Sequence, residues 1–80
     1  MQLIDFELRG DFVTLDNLLK ATGLAITGGA AKAMVAEGLV QVDGRDELRK
    51  TAKIRAGQVV SVHGTRVKVL PAAGNISKDS

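Results

Sequence analysis

The sequence predicts an α+β fold in which two short helices pack against a small, mostly antiparallel sheet. Three observations carry this. Two stretches with apolar residues at helical spacing each end in a glycine, Gly23 and Gly38. From Leu39 onward the apolar period shortens from about 3.6 residues to about two. Asp43-Gly44 and His63-Gly64 then supply dipeptides suited to tight hairpin turns.

Taken in order, Leu3 to Leu8 alternates imperfectly, with Phe6 and Leu8 on one face and Glu7 and Arg9 on the other, and reads as a first strand. Gly10-Asp11 breaks it. Thr14 is the expected cap of a first helix whose Leu15, Leu18 and Leu19 share one side, and Gly23 is its stop. Leu24 to Ile26 link it to a second helix from about Gly28 to Glu37, with Ala31, Met34 and Val35 inward and Gly38 as its stop. Val40 and Val42 then alternate with Gln41 as a strand. Residues 45–55 are charged and weakly periodic, and read as a returning strand segment followed by a loop. Ala56-Gly57-Gln58 is a turn, Val59 to Val62 a strand, His63-Gly64 a second hairpin turn and Val67 to Leu70 the last strand.

Eighty residues allow one small domain, expected over 1–71, with the small and polar residues of 72–80 as a mobile tail. The two aromatic side chains, Phe6 and Phe12, are both expected in the core, which otherwise consists of aliphatic residues and Met. With no cysteine, disulfides, thiol catalysis and thiolate metal sites are excluded, and a reducing, cytoplasmic setting fits. No apolar run approaches the roughly 18 residues of a membrane span, and Asp5 and Glu7 do not suit a signal peptide. His63 is the one histidine, without a second ligand or a nucleophile at useful spacing, so neither catalysis nor a metal or cofactor site is expected.

Net charge is only +2, but it is unevenly spread: residues 1–44 hold three basic and six acidic side chains, residues 45–80 eight basic and three acidic. A one-sided basic surface is a footprint of nucleic-acid binding. The second helix points the same way. Thr27 can cap it, while Gly28 and Gly29 leave the other first-turn N–H groups uncovered by side chains, an arrangement that can hold an anion. Lys32 stands one turn in, near an end where the helix dipole by itself favours an acid. Such a conflict suits a negative partner from outside.

The ordered run Leu15-Asp16, Gly23, Thr27-Gly28-Gly29, Ala31, Lys32, Val35, Gly38, Val40, Val42, Asp43-Gly44 and Gly57-Gln58 resembles the S-four-type RNA-binding domain, named from ribosomal small-subunit protein four. The match spans about residues 14–62. It departs from the family pattern at Gly28, where an Arg is frequent, and at Gln58, where Asp is usual. The Gly-Gly-x-Ala-Lys form resembles small stand-alone bacterial members, some of which begin with an extra strand as Leu3 to Leu8 would. The resemblance implies the αL motif, no enzymatic chemistry, and binding of structured RNA, often ribosomal RNA; a monomer is expected. The expected contacts are to phosphates, through the second helix and the adjoining basic loop.

The candidate RNA-binding residues are therefore Thr27, Gly28, Gly29 and Lys32 with the cluster Arg45, Arg49, Lys50, Lys53 and Arg55. Each has a plainer reading. The glycines serve equally as a junction for close packing, and charge runs are usually solvated faces. What favours RNA for the cluster is its place after the hairpin turn, expected beside the second helix. Arg66 and Lys68 alternate along a strand and are read instead as edge-strand charges that prevent sheet pairing. Base stacking is not expected, because it relies on exposed aromatic side chains. The alternative function is an adaptor that docks an acidic protein.

Overall fold

The computed structural model describes residues 2–72 and is α+β, with two helices on a mostly antiparallel sheet. The elements are β1 (Gln2–Glu7), β2 (Val13–Thr14), α1 (Leu15–Ala21), α2 (Gly28–Ala36), β3 (Val40–Val42), β4 (Arg45–Asp46), β5 (Lys53–Ile54), β6 (Val59–Val62) and β7 (Thr65–Leu70). The tail expected over 72–80 lies, from residue 73 on, outside the described residues.

Five strands form the main sheet in the order β1-β7-β6-β3-β4, and β2 and β5 form a separate two-stranded ladder. All pairs are antiparallel except β1 with β7, which runs parallel from Gln2 opposite Thr65 to Glu7 opposite Leu70. Both expected hairpins close as read. Asp43 and Gly44 have φ of 53° and 84°, His63 and Gly64 of 50° and 79°, the left-handed pair that matches strand twist in a two-residue turn.

Alternation along the strands builds the core. Val40, Val60, Val62, Val67 and Val69 are buried on one face of the sheet, and Ile4 and Phe6 of β1 pack against them half-buried. The helices cover this face with Leu15, Leu18, Leu19, Ala31 and Val35. Full burial of one such side chain stabilises by about 1.5–3 kcal/mol, so the helix stripe and the valine ladder hold the layers together. Among the described residues no polar side chain is buried.

Three expectations need correction. Thr14 sits at the N-cap position of α1 but its side chain makes no cap hydrogen bond. Instead the Leu15 and Asp16 N–H groups donate to the carbonyls of Ala52 and Lys50, each at 2.9 Å, so a distant backbone segment caps the helix. Arg66 and Lys68 are exposed, but β7 lies between β1 and β6 and is not an edge strand. The extra β1 covers that edge, which removes the edge-protection reading. Phe12, finally, is 41% exposed, because it precedes β2 at the rim of the fold where no layer lies over it.

Candidate nucleic-acid interface

The N-terminus of α2 has the expected local chemistry. Thr27 is extended, and its Oγ1 accepts from the Ala30 N–H at 3.1 Å. Its carbonyl accepts the Ala31 N–H at 3.0 Å. Among the described residues no hydrogen bond uses the N–H groups of Gly28 and Gly29, and no acid stands in the first turn. Lys32 is exposed. Two free donors and the positive end of the dipole thus face solvent together.

A further cation stands here that the sequence reading did not single out. A Cβ placed on Gly28 would lie 4.0 Å from Nζ of Lys20, so this ammonium from the last turn of α1 reaches over the start of α2. The short connection 22–27 brings the two helix ends together, and Thr22 fixes its beginning by donating from Oγ1 to the Leu18 carbonyl at 2.9 Å. The signal in the sequence was a lysine just before a short link between packed helices.

The basic segment 45–55 is held differently from the expectation. Its backbone hydrogen bonds include those from Glu47 to Val40 of β3, from Leu15 and Asp16 of α1, and the pairing of β5 with β2. It is thus anchored on the first helix rather than the second. Arg45 is exposed on β4, and Arg49 is 80% exposed with its Nε 3.5 Å from Glu47 Oε2. An exposed pair of this kind is worth only about 0–1 kcal/mol, so Arg49 can exchange Glu47 for another anion. Lys53 and Arg55 converge on one ring: Nζ of Lys53 is 5.0 Å and Cζ of Arg55 5.8 Å from the centroid of Phe12.

Asp16 feels the charge of a lysine from each basic region. The Thr14 hydroxyl is the main cause that holds its carboxyl below the usual value, against a partial offset from burial, and the Asn17 N–H, Lys50 and Lys20 add to the lowering. The lowered value favours the ionised acid, which attracts both Lys50 and Lys20. Gln58 has a structural part. Its Oε1 accepts from the Arg55 N–H at 2.7 Å and its Nε2 donates to Asp43 Oδ2 at 3.3 Å, which ties the end of the basic segment to the β3–β4 turn.

The described residues contain no group of three or more His, Cys, Asp or Glu placed to hold a metal, and no helix among them is long and apolar enough to cross a membrane. The arrangement offers hydrogen-bond donors and positive charge on an exposed surface, which is chemistry for binding anions.

Comparison with known proteins gives the family. A protein of Escherichia coli (strain K12) named "Putative RNA-binding protein YbcJ" is 50% identical over 58 residues, covering 72% of this chain and 83% of that protein. A Shigella flexneri protein named "Uncharacterized protein YbcJ" matches to the same extent, 50% over 58 residues. The solution structure of YbcJ from E. coli, described as revealing an αL motif involved in RNA-binding, aligns with a TM-score of 0.67 at 44% identity, covering 88% of this chain and 90% of that one. The family model described as S4 domain matches residues 6–70, a longer stretch than the motif alone suggested. With most of its length matched by that model and by relatives at this identity, the chain belongs to the S4 domain family.

Proposed function

We propose that this protein is a non-catalytic, cytoplasmic RNA-binding module that acts as a monomer on structured RNA, ribosomal RNA included. The observation that carries the reading is the N-terminus of α2, where the free N–H groups of Gly28 and Gly29 stand with Lys20 overhead and Lys32 one turn in. Such an end favours a phosphate, and the RNA backbone supplies phosphates at regular spacing. Thr27 fixes the geometry of this end. Arg45, Arg49, Lys50, Lys53 and Arg55 extend the positive surface toward β2 and the start of α1. The E. coli relative named for RNA binding supports the choice of RNA over other anions. No observation favours the adaptor for an acidic protein.

The test is fluorescence anisotropy with a labelled stem-loop RNA. The parent is expected to bind, and the double variant Lys32→Ala, Arg49→Ala to bind more weakly with an unchanged melting temperature. Failure of the parent to bind any structured RNA, together with ribonuclease-insensitive capture of an acidic protein from cell extract, would overturn the reading.

A further inference from the structure

Phe12 is 41% exposed, and the phosphate-binding surface, which includes Lys53 and Arg55, does not account for the groove on which it borders. Lys53 and Arg55 approach its ring at 5.0 and 5.8 Å. The β2–β5 ladder, with Val13 opposite Ile54 and Thr14 opposite Lys53, fixes ring and cations relative to each other. Phe12 also borders an open groove of about 670 Å³ between the end of β1 and α1, lined by Phe6, Glu7, Arg9, Val13 and Asn17 among others. Phe12 lines that groove, and Lys53 and Arg55 do not.

We propose that this groove is a nucleobase pocket, in which an unpaired base of the bound RNA stacks on Phe12 while Lys53 and Arg55 hold a phosphate flanking that base. The inference rests on the RNA-binding reading and extends it from phosphate contact to recognition of an unpaired nucleotide. Charge decides what the groove takes. Glu7 and Arg9 offset one another there, and a phosphate inside would meet the Glu7 carboxylate; a neutral heteroaromatic ring meets no such penalty. Phe6, Phe12 and Val13 give it apolar walls. The Glu7 carboxylate can accept from an exocyclic amino group, and the Asn17 amide can both donate and accept along a base edge. The size falls in the range of pockets that take small organic ligands, roughly 300–1,000 Å³. Outside the groove the two cations, already gathered beside the ring, meet the backbone of the same nucleotide.

Two RNA hairpins with the same stem, one carrying a single-nucleotide bulge and one fully paired, test the pocket. The parent should bind the bulged hairpin more tightly by about 5- to 150-fold, the range one base–aromatic stack supplies. Phe12→Leu should erase that preference while its affinity for the paired stem stays close to the parent's. Because the chain has no Trp, Phe12→Trp makes a single fluorophore whose emission should be quenched by the bulged hairpin and much less by the paired one. That emission decides the matter even if Phe12→Leu fails to fold. A parent that binds both hairpins equally, or a Trp signal that responds equally to both, overturns the pocket and leaves the RNA-binding reading standing. A parent that binds neither overturns both.

Discussion

Asp43 and Val59 hold each other twice: the Asp43 N–H donates to the Val59 carbonyl at 2.8 Å, and the Val59 N–H donates to Oδ1 of Asp43 at 3.0 Å. The other carboxylate oxygen accepts from Gln58 Nε2. One turn residue thereby locks the β3–β4 hairpin to the entry of β6. Asp43→Ala removes these acceptors and leaves a left-handed backbone without the short polar side chain that tolerates it. The expected loss in urea unfolding is about 1–3 kcal/mol. Asp43→Asn keeps one acceptor oxygen and suits the turn, so it should lose clearly less; equal losses would show that the side-chain bonds do not matter.

Gly44, beside it, has φ of 84° with open space around its Cα. Gly44→Val should therefore destabilise through backbone strain alone, by roughly 1 kcal/mol or more. Any RNA-binding defect should vanish when the assay is run well below the variant's melting temperature. A defect that persists in fully folded protein would place Gly44 in the binding surface.

Gly29→Glu separates folding from binding. A Cβ there meets only Thr27 Oγ1 at an ordinary 3.8 Å, and an acid in the first turn of a helix is favourable by about 0.3–1 kcal/mol. The melting temperature should hold or rise slightly. RNA affinity should fall, since a carboxylate would stand where a phosphate is expected. Folded protein with undiminished affinity would make the helix end purely structural.

Salt should weaken RNA binding steeply, because neutralising phosphates releases counterions. With about four phosphates contacted, affinity should drop more than tenfold between 50 and 200 mM salt, at a slope of roughly −0.7 to −0.9 per contact. Lys20→Ala should make that slope shallower by about one contact if its ammonium engages a phosphate. Titrations at four salt concentrations read both quantities.

Acid should destabilise the fold partly through Asp16. Its folded carboxyl is held below the ordinary value of 3.8, so the ionised form adds stability above that value, and the contribution is lost as pH falls through the lowered one. Melting temperatures taken down the acid limb should decline less steeply for Asp16→Asn than for the parent. Parallel curves would mean that other carboxylates dominate the acid limb.

Local signals made much of this fold readable. Thr27-Gly28-Gly29 and Gly38 bracket α2, and the Asp43-Gly44 and His63-Gly64 pairs place two hairpins, because each depends on backbone preferences a few residues long. The β2–β5 ladder was not readable: its strands are two residues each, too short to show a period, and Val13 finds Ile54 only through the tertiary fold. The Thr14 cap failed for the same reason, since the carbonyls of Lys50 and Ala52 come from far along the chain. Lys20 carries no local signal of this kind, because its meeting with Gly28 depends on how two helices pack. Phe12 misled because aromatic residues are usually interior, whereas this one ends at a rim that only topology defines.

The parallel pairing of Gln2–Glu7 with Thr65–Leu70 also imposes an order on the chain as it is made. β1 is translated before any segment that can hydrogen-bond to it exists, and at about 5–20 residues per second its partner follows roughly 3–12 s later. The helices and the β3–β4 hairpin, built from sequence neighbours, have ample time to form in that interval. β1 meanwhile has no partner, and its apolar Ile4 and Phe6 stay on an unpaired strand until β7 arrives. In that interval the unpaired strand is open to a chaperone, or to the emerging copy on the next ribosome of a polysome.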